Sequence, residues 1–517
     1  MATSTSVENT VKNEHADSRS LLSWQNVLFG LAALALLGVG IWMRLHKLDL
    51  PFDRDSYDEG VYWQSLRALS AGHGLYQQTF YSQPPIFLLS VYPIYTLFGE
   101  SLWVARLGIA LVSLTGLVGA FLLGKALGGR IGALAALLLL IADPLYLLQS
   151  QTLQAEAPSA ALSFLAVGLI YLWWERPDGV TGICLAVLST IALSLSILSK
   201  LLAVSTLVPV GMLMLAHCWR IAQQEPGKRL ASARSLIAGI LAFVVITLIV
   251  LLPFAGSWQQ FWHSVVTFHT DASTYFKSTQ ASNLGMIERL LVALTSCAAL
   301  YGTIVALLRR DWRALPLIAW LLVTAIMLWR FVPLFPHHLV ALTPPLVALA
   351  VLGITPGTGI PRDRKSVFSL ATLATMLSLL LILVTVFLNG RADLHYYRAQ
   401  QQTSDNTVRQ QASIIKDLQA ATQPGQLVVT DAQFIAARAD RSTPAALVDT
   451  STVRIDTGYV TAQQFIQEAS RPEVHAVLIY TGRLQNPALA PFRAWLSQHF
   501  RLTHNYGGGK GLWIKVS

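Results

Sequence analysis

Charge is what this chain has least of. Asp, Glu, Lys and Arg make up 12% of its 517 residues and apolar residues 54%, where a soluble protein carries roughly twice that charged share. The mean hydropathy of +0.52 excludes an ordinary water-soluble protein. Cysteine is nearly absent. Cys184, Cys218 and Cys297 each lie within or at the end of an apolar run, so neither a disulfide framework nor a cysteine metal site is read, and the three are expected as small core residues. Internal repeats and low-complexity tracts are also missing. The first residues, Met1 to about Ser20, are polar and show no obvious cleavage site before the first apolar run. They read as a cytoplasmic tail, residues 1–22, leading into a retained helix.

What the chain does have is a series of runs of roughly 20 apolar residues, enough to cross a hydrocarbon core of about 30 Å. They fall at about 25–43, 105–124, 131–149, 157–174, 179–198 and 201–218, then at about 235–254, 287–307, 313–331, 338–354 and 367–389. An all-α polytopic membrane domain of about eleven helices over residues 23–389 follows from these spans. The net charge of +10 sits mostly in short loops between runs, the pattern of cytoplasmic loops near anionic lipid and not of nucleic-acid binding. Lys125, Arg130, Arg220, Lys228, Arg229, Arg234, Arg309, Arg310, Arg313, Arg362, Arg364 and Lys365 all fall on one side if the tail is inside. The opposite side receives residues 44–104, the Gln149–Glu156 turn, a loop at about 256–286 and Phe331–His338. Ile86–Phe98 is apolar but short and broken by Pro93, so it reads as an interfacial or re-entrant helix. From residue 390 to 517 the composition becomes that of a soluble domain. Short apolar strands at Gln426–Asp431, Ala476–Tyr480 and Gly511–Val516 alternate with helices at Thr407–Ala421, Thr461–Ser470 and Ala490–Phe500. This predicts a small α/β domain, placed extracytoplasmically by an odd number of spans.

Acids at a bilayer surface are expensive and call for a reason. Asp53-Arg54-Asp55-Ser56-Tyr57-Asp58-Glu59-Gly60 follows the first span directly, then come Tyr81-Ser82-Gln83-Pro84-Pro85-Ile86, Leu97-Phe98-Gly99 and Ala105-Arg106-Leu107. In order and spacing these motifs resemble the GT-C membrane glycosyltransferases, in particular the branch of protein O-mannosyltransferases and lipid A aminoarabinose transferases (glycosyltransferase family 39-like). The resemblance covers residues 25–175 at motif level and the rest through topology. It implies transfer of a sugar from a polyprenyl-phosphate carrier to an acceptor glycan, lipid or protein on the outer face of the plasma membrane. It also implies Asp58 as general base and Glu59 as its support. Aminoarabinose transferases tend to carry Glu-Lys where this chain has Ser82-Gln83, so the lysine that meets the carrier phosphate is missing and that particular reaction is not assigned.

Further candidates follow from position. Glu156 stands at the start of a helix on the outer side, where the dipole favours an acid in any case. Arg106 lies just inside a span and needs a partner, an acid or a lipid phosphate, unless it snorkels to the headgroups. Lys200 and Arg330 sit at outer helix ends and are the replacements for the missing lysine. His338 is a candidate substrate contact, and Asp55 could share work with Asp58. No cofactor is certain: imidazoles near carboxylates leave a divalent metal open, but no His-x3-His pair supports it. Tyr57, Tyr62, Trp63, Tyr76, Phe80 and Tyr81 match an aromatic belt at a membrane surface. Gly507-Gly508-Gly509-Lys510 lacks the spacing of a phosphate loop and reads as a hairpin turn. A lipid or small-molecule transporter is the competing class, disfavoured by the missing repeat and by charges at helix ends.

Overall fold

The computed structural model describes residues 24–50, 57–291, 294–354 and 370–516. Asp55, the inner-loop cations Arg362, Arg364 and Lys365, and the tail at 1–22 lie outside these residues. Every apolar run read from the sequence is helical where described. Among the described residues seven helices are long and apolar enough to cross a membrane, or eight if Lys277–Leu290 and Thr295–Leu308, bent by 76°, form one span. The difference from about eleven has two sources. Two expected spans are arms of one 40-residue helix, and Ala314–Arg330 and Pro336–Leu352 are apolar but shorter.

The first helix, α1 (Trp24–Leu45), buries only Ala33, Gly40 and Arg44 and turns Trp24, Leu28, Leu31 and Leu34 outward. After it come α2 (Tyr57–Ser70), α3 (Ile86–Phe98) and α4 (Leu102–Ile141). The short α3 is 13 residues long, about 20 Å, too little to span, as its length and proline predict. Helix α4 folds back on itself at Gly128 and Gly129, the latter at φ 65, ψ −147, a conformation that excludes side chains. The arms touch at their roots, since a Cβ on Gly124 would lie 2.3 Å from the Gly132 carbonyl oxygen.

Small residues let α4 meet α5 (Glu156–Glu175): a Cβ on Gly119 would lie 2.3 Å from the Leu165 nitrogen, and one on Gly168 2.8 Å from the Gly119 oxygen. Close approach supplies the dispersion contact that drives helix association where water is absent. Polar contacts join α5 to α6 (Gly179–Ile197) and the turn that follows: the Ser163 hydroxyl pairs with Ser196 at 2.8 Å and Thr206 at 2.9 Å. Such bonds in membranes average about 0.6 kcal/mol each. The three cysteines are free and exposed on the helices that carry them, so they are not core residues as their apolar setting suggested.

A single 52-residue helix, α7 (Leu370–Ala421), runs from the last apolar span into the α/β domain. The sheet has the order β1-β2-β4-β3, with β1 (Leu427–Thr430) parallel to β2 (Val474–Ile479) and the hairpin β3 (Phe500–Gly507) and β4 (Lys510–Lys515) antiparallel. Ile414 and Leu418 of α7 and Ile435 and Ala436 of α8 (Gln433–Arg438) cover one face. Phe465 of α9 (Ala462–Ser470) and Phe492 and Leu496 of α10 (Ala490–His499) cover the other.

This domain sits on α2. A Cβ on Gly60 would lie 2.3 Å from the Phe434 nitrogen, so α8 lies against bare backbone. Gln64 donates to the Arg441 carbonyl at 2.9 Å and accepts from the Thr443 amide at 3.2 Å, while Arg67 pairs with Asp440 at 2.9 Å. The aromatic residues of the first loop form a packed core and not a belt: Trp63, Tyr76 and Tyr81 are buried with Phe87, Phe261 and Phe434. Aromatics near a membrane give the same sequence signal in both settings.

Candidate functional site: a carboxylate and cation cluster beside an apolar cavity

Successive residues on a helix point about 100° apart, and the first turn of α2 uses this to separate its functions. Tyr57 faces the α/β domain, donating to the Asp449 carboxylate at 3.0 Å and accepting from the Thr450 amide at 2.9 Å. Glu59 faces inward and is fully buried. Arg106 donates to both its oxygens, at 2.8 and 2.5 Å, and the Leu153 amide adds a third bond at 2.8 Å. The remaining Arg106 nitrogen donates to the carbonyls of Leu48 and Leu50 at 2.7 and 2.6 Å. Arg106 therefore does not snorkel to the headgroups, and Glu59 is held by Arg106 and the Leu153 amide, turned away from Asp58. Asp58 points the third way, with 42% of its side chain accessible.

The cluster lies in front of Asp58. Glu156 opens α5 and is buried, and the Lys200 ammonium, also buried, donates to its Oε1. His337 and His338, on the turn Pro336–Leu342, place their Nε2 atoms 3.7 and 3.8 Å from the same oxygen. His337 Nε2 is also 4.0 Å from Asp58 Oδ2, so it stands between two carboxylates. The Tyr62 phenol is pushed well above its ordinary value, first by burial and then by the charges of Asp58 and Glu156. It remains a neutral hydroxyl within the reach of Gln83. His269 lies on the far wall, its Nε2 2.9 Å from the Ser82 carbonyl oxygen.

Glu156, His337 and His338 bring their ligand atoms within 4.8 Å of one another, a spacing a divalent cation needs. Two observations weigh against one. The Lys200 ammonium already supplies the positive charge at Glu156. His338 Nδ1 accepts from the Phe335 amide at 3.1 Å, which leaves the proton of a neutral imidazole on Nε2, facing Glu156 as a donor and not as a ligand.

Arg330 ends the helix Ala314–Arg330 with an exposed side chain, whereas Lys200 is at the centre of the cluster. His337 was read from the sequence only with His338, as an imidazole near carboxylates, and Tyr62 only as part of an aromatic belt. Their place here comes from His337 lying 4.0 Å from Asp58 Oδ2 and 3.7 Å from Glu156 Oε1, and from the charges of Asp58 and Glu156 acting on Tyr62. A separate apolar cavity of about 1110 Å³ is lined by Leu145, Leu148, Leu290, Leu339 and Tyr396, with Arg289, Asp393 and His395 among its charged or titratable members. It reaches Pro336, the residue before His337, but no member of the cluster lines it.

Residues 81–269 match the family model described as dolichyl-phosphate-mannose-protein mannosyltransferase. The fold is that of the GT-C membrane glycosyltransferases, of the ArnT-like kind. Among solved structures, ArnT from Cupriavidus metallidurans bound to undecaprenyl phosphate is similar at a TM-score of 0.61 and 16% identity, covering 96% of this chain and 99% of that one. Its apo form matches at a TM-score of 0.57 and 16% identity, over 95% and 97% of the two chains. The archaeal oligosaccharyltransferase AglB from Archaeoglobus fulgidus, in complex with an inhibitory peptide and a dolichol-phosphate, matches at 0.51 and 13% identity, covering 96% of this chain and 75% of that one. No curated protein sequence matches the chain.

Proposed function

We propose that this chain transfers a sugar from a polyprenyl-phosphate donor to an acceptor hydroxyl on the outer face of the plasma membrane, with Asp58 as the general base. The observation that carries the reading is the accessible Asp58 carboxylate facing a buried Glu156–Lys200–His337–His338 cluster, its histidines on a turn whose Pro336 and Leu339 also line an apolar cavity. The cavity suits a prenyl chain by its lining. Lys200 and the two histidines of the cluster, with Arg289 of the cavity wall, would meet its phosphate in place of the lysine absent at Gln83. Asp58 takes the proton of the acceptor hydroxyl. The freed oxygen pair attacks the anomeric carbon, and the bond from that carbon to the phosphate oxygen breaks with its electrons going to polyprenyl phosphate. Donors held around the leaving phosphate stabilise the charge that develops there. One in-line displacement inverts the anomeric configuration. Asp55, next to α2 in sequence, is available as an auxiliary acid, and Arg330 as an anchor for the outer headgroups.

The test is turnover of a panel of polyprenyl-phosphate sugars by the purified protein in liposomes, wild type beside Asp58→Asn. Release of polyprenyl phosphate by wild type alone supports the reading and identifies the donor. Equal release by both removes Asp58 from the chemistry.

A further inference from the structure

A second cavity, of about 510 Å³, lies between α2 and the α/β domain, outside the carboxyl ends of the two parallel strands. Its walls are the segments that follow β1 and β2, residues 432–435 and 480–483. The chain leaves β1 towards the face covered by Ile435 and Ala436, and β2 towards the face covered by Phe492 and Leu496. A crevice where successive connections diverge is where α/β sheets hold ligands.

Its chemistry is one-sided. Arg483 and Lys510 both line it, and no acidic residue is among the described residues that do. The Arg483 guanidinium lies 3.7 Å from the centre of the Tyr57 ring and the Lys510 ammonium 4.8 Å from that of Tyr480. Both cations therefore rest on aromatic faces, which leaves their N–H groups able to meet an anion. Each is held in place by the fold. Asp431 accepts from the amides of Tyr480, Thr481 and Leu484 at 2.8, 3.1 and 3.1 Å and so fixes the turn that carries Arg483. Lys510 follows Gly507, Gly508 and Gly509, at φ 82, 59 and 76, a left-handed run open to glycine alone without strain. The hairpin is tied down by Gln485, which donates to the Gly508 carbonyl at 2.9 Å. The glycine turn thus serves to deliver a lysine.

The geometry points to this cavity as the acceptor subsite, receiving a sugar that bears a phosphate or carboxylate, with the anion on Arg483 and Lys510 and the ring against Tyr57 and Tyr480. This rests on the transferase reading above and names its acceptor class: an acidic glycan and not a neutral one. Tyr57 and Asp58 share the first turn of α2 but face different sides, so the acceptor would have to extend from this cavity around α2 to reach the base.

Binding separates this inference from the catalytic one. Ligand-observed NMR on the full chain in nanodiscs is run with glucose 1-phosphate, glucuronate, glucose and inorganic phosphate as probes. The variants are Arg483→Gln, Lys510→Gln and Asp58→Asn. The expected result is that one or both acidic sugars bind at least about tenfold more tightly than glucose and than inorganic phosphate, that each cation variant loses about tenfold, and that Asp58→Asn binds as wild type. Each tenfold corresponds to about 1.4 kcal/mol. The stronger of the two acidic probes identifies the anion. Glucose binding as well as the acidic sugars, inorganic phosphate binding as well as glucose 1-phosphate, or unchanged affinity in both cation variants would overturn the proposal. Donor turnover with no sugar binding leaves the transferase reading standing and this one fallen, while sugar binding without any donor turnover leaves an acidic-sugar site and overturns its role as an acceptor subsite.

Discussion

Glu59–Arg106 and Glu156–Lys200 are both buried carboxylate–cation pairs at the start of a helix, yet their surroundings differ in kind. Around Glu59 every oxygen is met: Arg106 and the Leu153 amide donate to its two oxygens, and the Leu48 and Leu50 carbonyls accept from the outer Arg106 nitrogen. Around Glu156 a lysine and two histidines converge on a single carboxylate oxygen. A carboxylate met at both oxygens can only hold things together. A surplus of donors around one carboxylate oxygen is an arrangement that an arriving anion would complete.

The sharpest way to break this comparison is at Asp58, which belongs to the open site alone. Asp58→Asn is expected to lower transfer by about 10²–10⁴-fold, the range of a lost general base, with melting changed by no more than about 0.5 kcal/mol. A large loss of stability would mean that the residue is structural after all. Arg106→Ala should behave in the opposite way, losing about 3–5 kcal/mol because Glu59 is left buried and unpaired. Thermal unfolding in detergent measures it, and an unchanged midpoint would refute the closed role assigned to the pair. Replacing both members of the open pair, Glu156→Leu with Lys200→Met, leaves no orphaned charge. The protein should fold and lose about 10²-fold in release of polyprenyl phosphate, as when one stabilising donor is removed. Release within twofold of wild type would take Lys200 out of the site. The smallest effect is expected for Tyr57→Phe, which removes bonds to Asp449 and Thr450. Each is worth about 1 kcal/mol, read as faster amide exchange at residues 449–451 with little change in overall melting.

Much of the membrane domain was legible because its signal is local: apolar runs, prolines and glycines announce helices and breaks without tertiary information. The acidic loop was legible for the same reason, since a carboxylate beside a span is anomalous wherever it points. What each acid does was not. Asp58 and Glu59 are neighbours of similar chemistry, and only the rotation of α2 sends one to Arg106 and the other towards His337. Lys200 was expected to meet phosphate directly, whereas its ammonium is on Glu156, 44 residues away in sequence. The strand β3 escaped notice because its residues from Arg501 to Asn505 are exposed and, apart from Leu502, polar, so no burial pattern marks them. Asp55 was named as a partner of the base but lies outside the described residues.

Helix α7 adds a mechanical consequence. Its 52 residues extend about 78 Å at 1.5 Å each, and the same rod is lipid-facing at Leu373 and Leu380 and docked beneath the sheet at Ile414 and Leu418. Rotation at one end is therefore rotation at the other. One inserted residue after Asn389 would turn Ile414 and Leu418 by about 100°, out of phase with the sheet they cover. The α/β domain is indexed to the membrane like a key to its shaft, and the fit of α8 on Gly60 depends on counting residues correctly across that length.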